Sequence, residues 1–152
     1  MKKKNINNNL GVTQIISFIL VFALVSTIMT SAIFISGNFI KTREEILSHK
    51  IAKDILEYVA YGIIECAAVI QTFNNASYSK TLELPMSING KSYYIEISKD
   101  FLYLNLTDGS IKEKTTLYNQ DKLCNGVYGK VFISDGDIRV IGDKTGYIKL
   151  LD

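Results

Sequence analysis

Few residues in this sequence have the type and spacing to do chemistry. The single histidine, His49, stands among Ser48, Lys50 and Lys53. No acid or nucleophile accompanies it in the pattern, so it reads as an exposed helical residue and not as a general base. Asp135, Asp137 and Asp143 in "SDGDIRVIGD" have the acidity of a calcium loop without its ligand order, central glycine and terminal glutamate. Asp-Gly pairs are also what β-turns require. Gly126, Gly129, Gly136, Gly142 and Gly146 punctuate strands, and no lysine followed by Ser or Thr opens a helix after them, as a phosphate cradle would need. One histidine and no CxxC pair leave a zinc site short of ligands. The sequence therefore predicts no catalytic residue, no metal site and no cofactor.

Three further features bear on covalent chemistry. Cys66 and Cys124 are either a disulfide staple or two buried thiols, and an oxidising compartment would allow the staple. It would close a loop of about sixty residues, for which chain entropy gives at most about 4 kcal/mol. Asn75-Ala76-Ser77 and Asn105-Leu106-Thr107 are N-glycosylation sequons, or chance occurrences in an Asn-, Ser- and Thr-rich chain. Asn105 alternates with Leu104 and Leu106, which on a half-buried strand turns its side chain to solvent. Gly11 separates the polar leader "KKKNINNNL" from a long apolar run, where a processing peptidase could act.

These residues must be placed by two very different stretches of chain. The 152 residues carry a net charge of only +2, so a polyelectrolyte surface for nucleic acid is unsupported. Residues 12–36 hold no charge at all. As a helix they rise roughly 37 Å, enough to cross a hydrocarbon core of about 30 Å with some tilt. Lys2, Lys3 and Lys4 precede the run, while Lys41 and Arg43 beyond it are offset by Glu44 and Glu45. The positive-inside bias then keeps the N-terminus cytoplasmic and turns residues 37–152 outward.

Beyond Gly37 and Asn38 the helical period resumes. Leu47, Ile51, Ile55, Val59, Ile63, Cys66, Ile70 and Phe73 recur at spacings of three or four, the apolar stripe of an amphipathic helix. Lys50, Lys53, Asp54 and Glu57 line the wet side. After "NNASYSK" the period becomes two, beginning with Leu82 and Leu84. Asn89-Gly90 signals a type I′ hairpin, and Asp108-Gly109, Asp135-Gly136 and the stretch from Asp143 to Gly146 mark further turns. Six or seven antiparallel strands follow from that punctuation. Tyr93, Tyr94, Tyr103, Tyr118, Tyr128 and Tyr147 fit as favoured strand residues before they fit as an adhesive patch. A sheet with one apolar face and a helix with one apolar stripe bury each other. The expected fold is α+β: a long N-terminal helix, transmembrane in its first half and amphipathic in its second, packed on a small antiparallel head. Its parts are a leader (1–11), a transmembrane helix (12–36), an amphipathic helix (37–75) and a β-rich outer domain (76–152).

Three fates compete for the N-terminus. A secretory signal has a shorter apolar core than this run, although Thr30-Ser31-Ala32 offers a small-residue cleavage site. A plain signal anchor would be kept whole. The order of parts in "KKKNINNNLGVTQIISFILVFALV", a short positive leader, then glycine, then the apolar helix, resembles the class III signal of type IV pilins and archaellins. The resemblance implies cleavage by a prepilin peptidase between Gly11 and Val12. It also implies assembly with other pilin subunits into a surface filament held by the apolar helices. Bacterial pilins commonly carry glutamate at the fifth mature position, which here is Ile16, so the likeness is to archaeal pilin-like proteins. Asn9 and Leu10 also stand where a basic residue often precedes the cut. The alternative from another class is a single-pass membrane anchor whose exported domain binds a ligand and never polymerises.

Overall fold

The computed structural model describes residues 6–73, 77–98, 100–117 and 124–151, with side chains from Val12 onward. One helix, α1 (Ile6–Thr72), is followed by seven strands: β1 (Tyr78–Glu83), β2 (Tyr93–Ser98), β3 (Phe101–Leu106), β4 (Lys112–Thr116), β5 (Gly126–Phe132), β6 (Asp137–Gly142) and β7 (Tyr147–Leu151). The fold is α+β, as the change of period from helical to alternating predicts. The helix runs without a break through Gly37 and Asn38, and it begins at Ile6, ahead of Val12. The chain divides into two compact units, Met1–Arg43 and Glu44–Asp152.

In the first unit every described side chain from Val12 to Arg43 is exposed. Phe18, Ile33 and Phe34 are each at least 70% open. The hydroxyls along this stretch satisfy themselves within the helix: Thr27 donates to the Ala23 carbonyl at 2.8 Å, Thr30 to Ser26 at 2.8 Å and Ser31 to Thr27 at 2.9 Å. Such back-bonding lets small polar residues sit in an apolar surrounding at little cost.

The second unit holds the core. From Ser48 to Ile70 the helix buries Ala52, Ile55, Leu56, Val59, Ala60, Ile63, Cys66, Ala67 and Ile70 against one face of the sheet. Lys50, Lys53, Asp54 and Glu57 face out, with Lys53 and Glu57 4.0 Å apart. The buried stripe differs from the expected one at both ends. Leu47 and Phe73 are 56% and 62% exposed, and Ile51 is only partly covered. Ser48 and Ala52 take their place because small side chains let the helix lie close. Ser48, the one buried polar residue among those described, donates to the Glu44 carbonyl at 2.7 Å.

The sheet order is β1-β6-β7-β5-β2-β3-β4. Every neighbouring pair is antiparallel except β5 and β7, which run parallel. The sheet is thus mostly antiparallel, as expected, with this one parallel pair as the departure. After β5 the chain passes to β6 beside β1, and the β6–β7 hairpin folds back to place β7 between β6 and β5. The turns carry their expected chemistry. Asn89 and Gly90 have φ of 51° and 74°, the paired positive values a type I′ turn needs. Asp143 accepts hydrogen bonds from the amides of Thr145 (2.9 Å) and Tyr147 (3.0 Å), which holds its carboxyl below the ordinary range, the Thr145 hydroxyl contributing most. At the Asp108 turn, Lys91 and Ser110 lower the carboxyl in the same way.

Gly142 is not turn punctuation. It lies within β6 where Ile70 and Cys66 of the helix press on the sheet, and a Cβ there would stand 1.8 Å from Ile70 Cδ1 and 2.9 Å from Cys66 Sγ. Gly62 plays the matching part on the helix, its missing Cβ leaving room for Leu82. Overpacking such a contact costs roughly 1–3 kcal/mol. Gly142→Val should therefore lower unfolding stability by about that amount in a denaturant titration. A midpoint unchanged from the parent would mean that helix and sheet do not meet here.

Candidate functional site

The residues that could do chemistry separate cleanly in space. His49, expected to lack an acid partner, has one: its Nδ1 lies 2.7 Å from Oε1 of Glu113 on β4. Both side chains are substantially exposed, and the pair clips the helix to the sheet edge. Lys80 on β1 and Glu65 on the helix make a second such clip at the opposite edge, and hydrogen bonding to Glu65 raises the pKa of Lys80. Neither pair could be read from sequence, since their members lie 64 and 15 residues apart. Asp135 and Asp137 border a shallow hollow with Thr81, Ile138 and Arg139, while Asp143 caps its own turn. Among the described residues no group of three His, Cys, Asp or Glu is placed to hold a metal ion.

The two cysteines are brought together. Cys66 is fully buried beneath Gly142 and directs its thiol toward the Tyr78 carbonyl at 3.9 Å. Cys124, partly buried, packs on the edge of the same core just before β5. Both stand as thiols. Burial first, and then the nearby Cys124, push Cys66 up to about 11. Because the unfolded thiol titrates near 9, the folded state holds its proton more tightly. That contribution to stability is complete below pH 9 and is lost between about 9 and 11. If an oxidising exterior joins the two sulfurs, wild type should be up to about 4 kcal/mol more stable oxidised than reduced, and Cys66→Ala should not respond to reductant. Identical melting of wild type with and without reductant would remove the staple.

Of the modification sites, Asn75 lies outside the described residues. Asn105 sits next to the end of β3 on the side away from the helix, partly buried and flanked through the sheet register by Tyr94 and Lys112. The Thr107 hydroxyl of that sequon donates to the Ser92 carbonyl at 3.1 Å. Gly11 belongs to the helix by its backbone, its surroundings outside the described residues, and Val12 is 56% exposed. Lys2, Lys3 and Lys4 also lie outside the described residues.

The tyrosines divide. Tyr93 is fully buried, its hydroxyl donating to the Pro85 carbonyl at 2.6 Å, and burial raises its pKa strongly. Tyr118 lies outside the described residues. Tyr94, Tyr103, Tyr128 and Tyr147 share the outward side of the sheet with Phe101 and Phe132. Tyr94 and Phe132 pair across strands at 5.2 Å between ring centres, Phe101 and Tyr103 at 6.2 Å. The phenylalanines were not singled out from the sequence, although the same alternation that buries Leu102 and Val131 turns Phe101 and Phe132 outward.

The largest apolar surface is that of the helix itself. It is long and apolar enough by length and composition to cross a membrane, and nothing covers its most apolar window. No curated protein and no solved structure matches the chain. Residues 8–140 match a family of unknown function, DUF7266, a span that takes in the apolar helix and the sheet as far as β6, and the chain belongs to that family.

Proposed function

We propose that this protein is a pilin-like structural subunit, major or minor, of an archaeal type IV pilus-type surface filament or of its assembly machinery. A prepilin peptidase cuts after Gly11, and the apolar helix holds the subunit first in the membrane and then in the filament. The observation that carries the proposal is the uncharged, largely apolar surface from Val12 to Ile40, every large apolar side chain of which is exposed. Monomeric proteins rarely expose apolar patches larger than a few hundred Å². A lipid bilayer covers such a helix, and so do the same helices of neighbouring copies, so exchange between the two costs little. Head-to-tail contacts that do not close on themselves give an open helical filament. Such a subunit needs no active site.

The distribution of the protein after mechanical shearing of its native cells tests assembly. The subunit is expected in the sheared, pelletable surface fraction. Complete retention in the cell membrane under conditions that release other filaments would favour the alternative, a single-pass anchor with an exported binding domain.

A further inference from the structure

The side of the sheet away from the helix is unusual in composition. The outward face of an antiparallel sheet is ordinarily polar and solvated. Here β7, β5, β2 and β3 turn six aromatic rings outward, of which Phe132, Tyr128 and Tyr147 are 55%, 49% and 44% exposed, with β4 beside them. The charges among them are mostly positive. Lys112, Lys114, Lys130 and Lys149 point out from these strands against Glu96, which pairs with Lys130 at 3.4 Å and leaves Lys112, Lys114 and Lys149 as the positive excess. Two of the lysines are held over rings: Lys130 Nζ is 4.3 Å from the centre of Tyr94 and Lys114 Nζ 5.0 Å from that of Phe101.

We infer that this face binds an acidic polysaccharide, with sugar rings against the exposed aromatics and carboxylates on Lys114 and Lys149, which flank the rings from β4 and β7. The flat side of a pyranose presents C–H bonds of slight positive charge, which the negative face of an aromatic ring attracts. The Lys114 and Lys149 ammonium groups, beside Tyr103 and Tyr128 in the sheet register, supply the charge selection. A second copy of this chain fits less well. The outward side of its helix in the second unit mixes Lys50 and Lys53 with Asp54 and Glu57, and Lys53 and Glu57 already face each other at 4.0 Å. A row of stacked bases fits less well too, since the ring pairs are tilted by 44° and 54° and offer no parallel platform. The inference rests on the exterior placement of the sheet and not on polymerisation.

Full-length protein in detergent micelles, titrated calorimetrically with alginate oligomers and with neutral dextran at low salt, tests it without any filament. Alginate is expected to bind at least about tenfold more tightly than dextran, and binding should weaken as salt is added. The double variant Lys114→Ala, Lys149→Ala should lose about tenfold in alginate affinity. Phe132→Ser, at an exposed position, should lose several-fold with an unchanged melting temperature. Equal binding of alginate and dextran, undiminished alginate binding by both variants, or tighter binding of single-stranded DNA or of anionic lipid vesicles than of alginate would each overturn the assignment. None of these results depends on whether the chain is cut after Gly11, so the outcome is separable from the pilin reading.

Discussion

A chain carrying Gly11→Trp will keep its leader, and membranes of cells expressing it will contain only the full-length form. A peptidase that cuts beside a glycine closes around a backbone with no Cβ, and an indole at that position blocks the approach. The structure adds a condition. The helix begins at Ile6, so the bond after Gly11 lies within helical backbone, which a peptidase acting on an extended segment there would have to unwind. Asn7, Asn8, Asn9 and Gly11 make that unwinding inexpensive: Gly disfavours the helix by about 1 kcal/mol relative to Ala, and Asn by roughly 0.7 kcal/mol. Replacing the three asparagines by alanine should then slow processing without abolishing it. Intact-mass measurement of the membrane-extracted protein checks both variants. Normal maturation of Gly11→Trp would exclude cleavage at this bond.

A lysine in place of Ile19 will have the second large effect. Ile19 is 58% exposed within the uncharged run, one third of the way along it, so whatever surrounds the helix meets this side chain. A lysine costs about 2.5–3.5 kcal/mol at the centre of a spanning helix and less toward its ends, so here the insertion equilibrium constant should fall by up to roughly two orders of magnitude. The Ile19→Lys protein should appear largely in the carbonate-extractable fraction of cells, where the parent resists extraction. An unchanged distribution would show that this surface does not lie in the bilayer. Ile19→Leu, of equal apolar volume, should behave as the parent.

Much of this fold follows from the periodicity of the chain. Alternation in "YYIEIS" and "FLYLNL" puts Tyr93, Ile95, Ile97, Leu102, Leu104 and Leu106 inside, and Asn89-Gly90 fixes a turn by its demand for positive φ. What could not be read depends on contacts between distant residues. The parallel register of β5 and β7 is set by which edge the β6–β7 hairpin docks on, and each strand alone is compatible with either direction. The shift of the helix stripe from Leu47 and Ile51 to Ser48 and Ala52 arises because close approach to a sheet rewards small side chains, whereas hydropathy counts only apolar ones. Gly142 looks like any loop glycine until Ile70 is brought over it. The outward aromatics were visible as strand residues, but their grouping with Lys114 and Lys149 requires the cross-strand register.

The proposed role turns on one covalent fact, the first residue of the mature chain. Protein extracted from the membranes of its native cell and analysed by N-terminal mass spectrometry should begin at Val12, lacking residues 1–11. A mature chain that begins at Met1, or at a residue unrelated to Gly11, would contradict prepilin-type processing and leave a membrane-anchored domain in place of a filament subunit.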